Sequence, residues 1–248
     1  MSSPLPFPDR LPLRISPCPI VEAIFEVRFV SNESWATLPG LLFGQIRERY
    51  PEQIALPLLQ VPDTIRAQDP ALTHLPLLQF KSESFLVQLG PRVISLATRH
   101  REYPGWPAIM AELRWLLPRL QAAGFVRETE RLGVRYIDFF SGDIFPHLRL
   151  GAQIDGAPLA AQQLDLTTVF RFGPISARLQ VTNGAIVAAP SGPEVGSVLD
   201  LDTWVGPMDA EFFTQGLDRF AELHTTVKQV FFGLLKPSYL AQLQPVYQ

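Results

Sequence analysis

The residues of this chain with the means for chemistry are acids and arginines, and they recur at the two-residue spacing of a strand face. Glu22, Glu26 and Arg28 alternate with apolar Val21, Ala23, Phe25, Val27 and Phe29. A hundred residues on, Arg131 and Arg135 alternate with Leu132, Val134, Tyr136 and Phe140. In both segments the apolar residues hold one parity and the charges the other, as a strand with one face on a core requires. Asp200 and Asp202 share a face of a third segment, and Arg178 lies on the polar parity of a fourth. Carboxylates two apart on a strand sit about 7 Å from one another, close enough to share a cation or to hold an arginine between them. The candidate binding set is therefore Glu22, Glu26, Arg28, Arg135, Arg178, Asp200 and Asp202. The same polar parity carries Lys81, Gln88, Arg131, Arg171 and Gln180. A solvated sheet face has this mix too, its cross-strand ion pairs worth at most about 1 kcal/mol each. No catalytic residue, metal site or cofactor is assigned.

Other chemistry is weakly represented. His74, His100, His147 and His224 lack metal-ligand spacing. His224 falls beside an apolar stripe and reads as a hydrogen-bonded core or edge histidine. Cys18, between Pro17 and Pro19, has no neighbour to lower its pKa. The run from Ser191 to Gly196 lacks the lysine and helix context of a phosphate loop and reads as a loop. Glu26-Val27-Arg28 matches the tail of the Glu-x-Glu-x-Lys pattern that triphosphate-tunnel hydrolases place on an early strand, but Ile24 stands where the first glutamate belongs and arginine replaces lysine.

Positioning such a face requires strands backed by helices. After the first strand (20–29), Asn32 or Ser34 is expected to cap a helix over residues 35–50, with Leu38, Leu41, Leu42 and Ile46 as its apolar side. Five prolines between Pro51 and Pro76 predict an irregular crossing. Strands at 77–81, 84–89 and 92–98 form a meander, with Gly90-Pro91 as a turn. A helix over 106–123 follows, with Pro107 in its first turn, Pro118 inside it and Gly124 at its end. The second half repeats the plan. A strand at 131–140 leads through an irregular 142–150 to strands at 164–172, 175–182 and 195–205, with Gly173-Pro174 as the hairpin turn. A helix from Asp209 to 235 closes the chain, with Phe213, Leu217, Phe220, Val227, Phe231 and Leu234 on one stripe.

The predicted fold class is α+β: two related β-α-β(3-4)-α halves forming a largely antiparallel curved sheet with helices on one face, like a saddle or helix-grip. The divisions are an extended proline-rich arm at 1–19, one half at 20–124 and another at 125–248. Six prolines precede residue 20.

Composition narrows the partners. With 248 residues, 47% of them apolar, the chain can bury a substantial core. A net charge of -3 supplies no field to gather a polyanion, and Glu22, Glu26, Asp200 and Asp202 would face the phosphates of a nucleic-acid saddle, which disfavours that reading. A single cysteine suits a reducing compartment, and the arm lacks the apolar run of a signal peptide, so cytoplasm is the expected location. No apolar stretch has the roughly 20 residues a membrane span needs. Adjacent Phe212 and Phe213, and Phe231 and Phe232, point about 100° apart on a helix. One core should not cover both members of each pair, and the exposed remainder predicts a homodimer.

Pro19-Ile20-Val21-Glu22-Ala23, Glu26-Val27-Arg28-Phe29, Gly133-Val134-Arg135-Tyr136-Ile137, Asp200-Leu201-Asp202, Leu223-His224, Phe231, Leu235 and Tyr239 together resemble a sporadically distributed family of prokaryotic proteins of about this size with no assigned function. The resemblance spans nearly the whole chain. It implies a stand-alone, cytoplasmic bacterial protein and lends no catalytic residue. The expected function is a non-catalytic binding or assembly module that receives a protein or a small polar ligand. The alternatives are a metal-dependent phosphohydrolase of the triphosphate-tunnel kind and a nucleic-acid-binding saddle.

Overall fold

Alternation builds the first strand, β1 (Ile20–Ser31), as its residue types dictate: Ala23, Phe25, Val27 and Phe29 are buried, and Glu22, Glu26 and Arg28 are only half-buried. The computed structural model describes residues 7–158, 163–189, 192–208 and 211–247. Following β1 are α1 (Leu38–Ile46), β2 (Glu52–Ala55), α2 (Asp63–Arg66), β3 (Leu78–Lys81), β4 (Phe85–Gly90), β5 (Val93–Thr98) and α3 (Trp106–Ala123). The remainder comprises β6 (Val126–Ser141), β7 (Gln153–Ile154), β8 (Ala157–Pro158), β9 (Asp165–Phe172), β10 (Ile175–Ala189), β11 (Gly192–Val205), α4 (Phe212–Leu234) and α5 (Pro237–Gln242). Among the described residues the fold is α+β. One largely antiparallel sheet runs β2-β3-β4-β5-β1-β6-β11-β10-β9 without closing on itself, and β7 pairs with β8 separately.

Contacts gather the chain into two compact units, each assembled from separated segments. The N-unit holds Glu22–Val134 and Trp204–Glu222; the C-unit holds Met1–Val21, Arg135–Thr203 and Leu223–Gln248. In the N-unit, β1 pairs with β5 in a register that sets Glu26 opposite Ser95 and Arg28 opposite Val93. Its core joins Phe25 to Trp106 and Phe220, each with ring centroids 5.9 Å apart, and Phe29 to Phe125 at 5.3 Å. In the C-unit, Phe140 stacks on Phe231 at 6.4 Å, and β10 pairs with β9 so that Arg178 faces Val169.

Several elements differ from expectation. The first helix is shorter: α1 begins after Thr37, which makes no side-chain cap bond, and ends at Ile46. Gly40 and Gly44 weaken its helical preference, and the expected caps Asn32 and Ser34 lie outside it. The proline-rich crossing is not featureless, since it forms β2, α2 and two short 3-10 turns. The segment from Gly192 to Gly196 is strand rather than loop, with Ser191 outside the described residues. Asp209, the expected start of the closing helix, also lies outside them, and α4 begins at Phe212.

The premise for a phenylalanine-driven dimer fails. Phe212, Phe231 and Phe232 are 0%, 7% and 7% exposed, and Phe213 is half-buried. The members of each pair touch, with centroids 4.7 and 5.0 Å apart, so this chain covers both of its own ring pairs. Nor is the arm loose over its described part: Leu13 N–H donates to the Val246 carbonyl and Ser16 N–H to the Leu243 carbonyl, both at 2.7 Å. One charge also breaks the parity rule. Asp138 lies on the core side of β6, in line with Tyr136 and Phe140, and is 3% exposed.

Candidate functional site

Each unit builds one arginine–carboxylate cluster from the polar parity of its strands. In the C-unit, Arg135 on β6 grips Asp200 on β11 with both edges of its fork, Nε to Oδ1 at 2.8 Å and Nη2 to Oδ2 at 2.5 Å. Arg178 on β10 brings Nη2 to 3.7 Å from the same Oδ2. The layering is marked: the Asp200 side chain is 9% exposed, whereas Arg135 and Arg178 are 39% and 40% exposed. The Nε of Arg178 is buried with no acceptor among the described residues. Asp202, two residues along β11, is half-buried.

In the N-unit the acid is Glu26 on β1. Its Oε1 accepts from Arg28 Nε at 2.7 Å and from Arg131 Nη1, and the Arg131 guanidinium lies 5.0 Å from the Trp204 ring centroid. Arg135 thus pairs with Asp200 across neighbouring strands, whereas Arg28 pairs with Glu26 along its own strand. Arg131, predicted on the polar face but left out of the binding set, is as central to its cluster as Arg28. Glu22 is half-buried on the same strand.

Lys81, Gln88 and Gln180, on the same polar parity, are engaged locally. Lys81 pairs with Glu52 at 3.3 Å, Ser95 Oγ donates to Gln88 at 3.3 Å, and Gln180 Nε2 donates to both Asp165 oxygens at 3.2 and 3.0 Å. These contacts are those of a solvated sheet face.

Three polar groups escape strand-parity reasoning because they sit on the core side. Burial, with the Asp200 charge as a lesser cause, pushes the Asp138 carboxyl up to about 8, so it is protonated at neutral pH. Tyr136 OH and His224 Nδ1 share a hydrogen bond of 2.9 Å; burial and then the Lys228 charge hold His224 down to about 3, so it stays neutral. In the N-unit, buried Glu112 accepts from Tyr50 OH at 2.8 Å and Arg49 Nη1 at 2.7 Å. Arg49 and Arg119 both lie over the Trp115 ring, at 4.2 and 3.8 Å. In the sequence Glu112 and Asp138 signal these groups as out-of-pattern acids in apolar runs, and His224, read as a hydrogen-bonded core or edge histidine, is one.

The N-unit also holds a cavity of about 250 Å³ lined by Trp35, Arg66, Leu72, Thr73, Leu77 and Arg92. Arg92 and His74 both contact Glu130, His74 at 3.4 Å. Burial, with the Arg28 charge second, holds the His74 imidazole below its usual range. Among the described residues no three His, Cys, Asp or Glu side chains converge as metal ligands, and no helix is long and apolar enough to cross a membrane. Compared with known proteins, the chain matches no family model and no curated protein.

Proposed function

We propose that this chain is a non-catalytic binding or assembly module that offers guanidinium groups to a carboxylate-rich segment of another protein. The observation that carries the reading is the state of its acids. Glu26 and Asp200, the carboxylates a metal-dependent hydrolase would need open, are each taken up by arginines in charge-assisted hydrogen bonds, and Asp200 lies beneath its two arginines. The more exposed partners are the guanidinium groups of Arg28, Arg135 and Arg178, whose planar forks match carboxylates bidentately.

The phosphohydrolase alternative is less well supported. It asks for free carboxylates to hold a metal and for a sheet closed around them, whereas this sheet does not close. Incubation with inorganic tripolyphosphate and Mg²⁺ or Mn²⁺ tests the distinction. No orthophosphate above the protein-free background is expected. Release that Glu26→Gln abolishes would overturn the non-catalytic reading.

Internal duplication belongs to the same reading. The strand order supports it: outward from the centre, β1, β5, β4 and β3 on one side answer β6, β11, β10 and β9 on the other. Each series starts with the first long strand of its half, continues with the strand before its long helix, and then runs backwards along the chain. The single cysteine and the resemblance drawn from the sequence support a reducing prokaryotic cytoplasm as its location.

A further inference from the structure

The two ends of the sheet are built differently. At one end β2 is four residues long, lies between Pro51 and Pro57, and so offers little backbone for another strand to pair with. At the other end β9 is eight residues long and carries no proline, lysine or bulge. Among the described residues it pairs only with β10. Val169 on its open face is 54% exposed, and Leu166 and Phe170 on its core face are only half-buried. Phe7 of the arm packs on Phe172 at the end of β9, with ring centroids 5.2 Å apart, and a strand edge of this length with no proline, lysine or bulge is a template for another strand.

The sequence of β9 specifies which strand. Antiparallel pairing with a second copy about a twofold axis at Thr168 sets Asp165 opposite the second copy's Arg171, Leu166 opposite its Phe170 and Thr167 opposite its Val169. An acid meets a base, two apolar side chains meet on the core face, and two β-branched residues meet on the open face; such cross-strand pairs favour association. Slipping the axis one residue toward Val169 sets Arg171 against Thr167. Slipping it toward Thr167 sets Asp165 against Val169. Of these registers only the one centred on Thr168 pairs the charges. Inside one chain, Arg171 lies opposite Ser176, while Asp165 is reached by Gln180.

We propose that the chain forms a homodimer by edge-to-edge pairing of β9 with β9 of a second copy, in the register that joins Asp165 to Arg171. This deepens the assembly reading by naming a partner. It does not depend on the guanidinium clusters, so losing the dimer would leave acidic-peptide binding to be judged separately. Such a twofold axis stands perpendicular to the sheet and keeps the Arg178 faces of both copies on the same side.

A charge swap tests the register by analytical ultracentrifugation, with circular dichroism to check folding. Wild type is expected near twice the 27.7 kDa of one chain at tens of micromolar, dissociating on dilution. Arg171→Asp opposes like charges at two symmetry-related places and should weaken the dimer about tenfold. The double variant D165R/R171D should recover wild-type affinity. Should R171D not fold, a cysteine at the axis decides. Opposed positions of an antiparallel pair lie about 4.5–5.5 Å apart between Cα atoms, within disulfide reach. C18S/T168C should therefore cross-link to a covalent dimer on mild oxidation, and Cys18→Ser alone should not. A wild-type monomer at all concentrations, a dimer indifferent to R171D, a double swap without rescue, or a T168C protein that does not cross-link would each overturn the proposal.

Discussion

Asp200 illustrates how little a charge reveals by its type and how much by what surrounds it. It is the most buried member of its cluster, with two arginines above it, so removing its charge strips two guanidinium groups of their shared acceptor. Both arginines are about 40% exposed and regain water, which discounts the loss. Asp200→Asn should therefore cost about 1 kcal/mol in urea unfolding, well short of the several expected for stranding a fully buried charge. Asp138 behaves in the opposite sense. Its folded pKa is raised to about 8, so the folded state binds a proton that the unfolded state loses above about 4. His224, held down to about 3, makes the unfolded state the better proton binder up to about 6.5. Between about pH 4 and 6.5 the two slopes offset. From 6.5 to 8 only Asp138 remains, and stability should fall by up to about 1.4 kcal/mol per pH unit. Asp138→Asn should flatten that limb in unfolding measured at pH 6.5 and 8. A D138N protein with the wild-type slope would contradict the assignment.

At the scale of elements, patterning specified whatever depends on alternation or on turn chemistry. Gly173-Pro174 and the span of α3 match expectation because glycine and proline act locally, whereas the first turn, expected at Gly90-Pro91, falls one residue on, at Pro91-Arg92, with Gly90 ending β4 opposite Val93. The ends of β10 and β11 did not match expectation either, since Gly192 and Gly196 read as loop residues. Gly196 instead marks a close approach: a Cβ there would lie 2.2 Å from the Phe140 carbonyl oxygen and 2.6 Å from the Phe139 ring. Gly196→Ala should accordingly push β11 from β6 and destabilise by about 1–3 kcal/mol, measured as a lowered thermal midpoint. Unchanged stability would mean that the strands do not approach there. The link between α1 and α3 was equally hidden, because Tyr50 and Glu112 are 62 residues apart and meet only once the helices pack. Tyr50→Phe keeps the ring and removes the hydroxyl, leaving buried Glu112 with Arg49. A loss of about 1 kcal/mol is expected in the same assay.

For the whole molecule, the sequence allowed the fold class to be read and the strand pairing to be anticipated in part, because an apolar parity needs a core behind it. Exposed rings were expected where the chain buries them, and the edge at β9 became visible only from the strand order. The polar face was legible as a set of residues but not as clusters, since which arginine takes which acid depends on strand neighbours far apart in sequence. The central claim is that this face binds carboxylates through its guanidinium groups and does not use its own acids as a reaction centre. Titrating a fluorescently labelled hexaglutamate peptide into the protein at low ionic strength tests it most directly, with Arg178→Gln and Arg28→Gln as comparisons. Saturable binding that weakens as salt rises, and that falls about tenfold in at least one of these variants, is the predicted result. Absence of binding up to millimolar peptide, or binding unchanged in both variants, would contradict it.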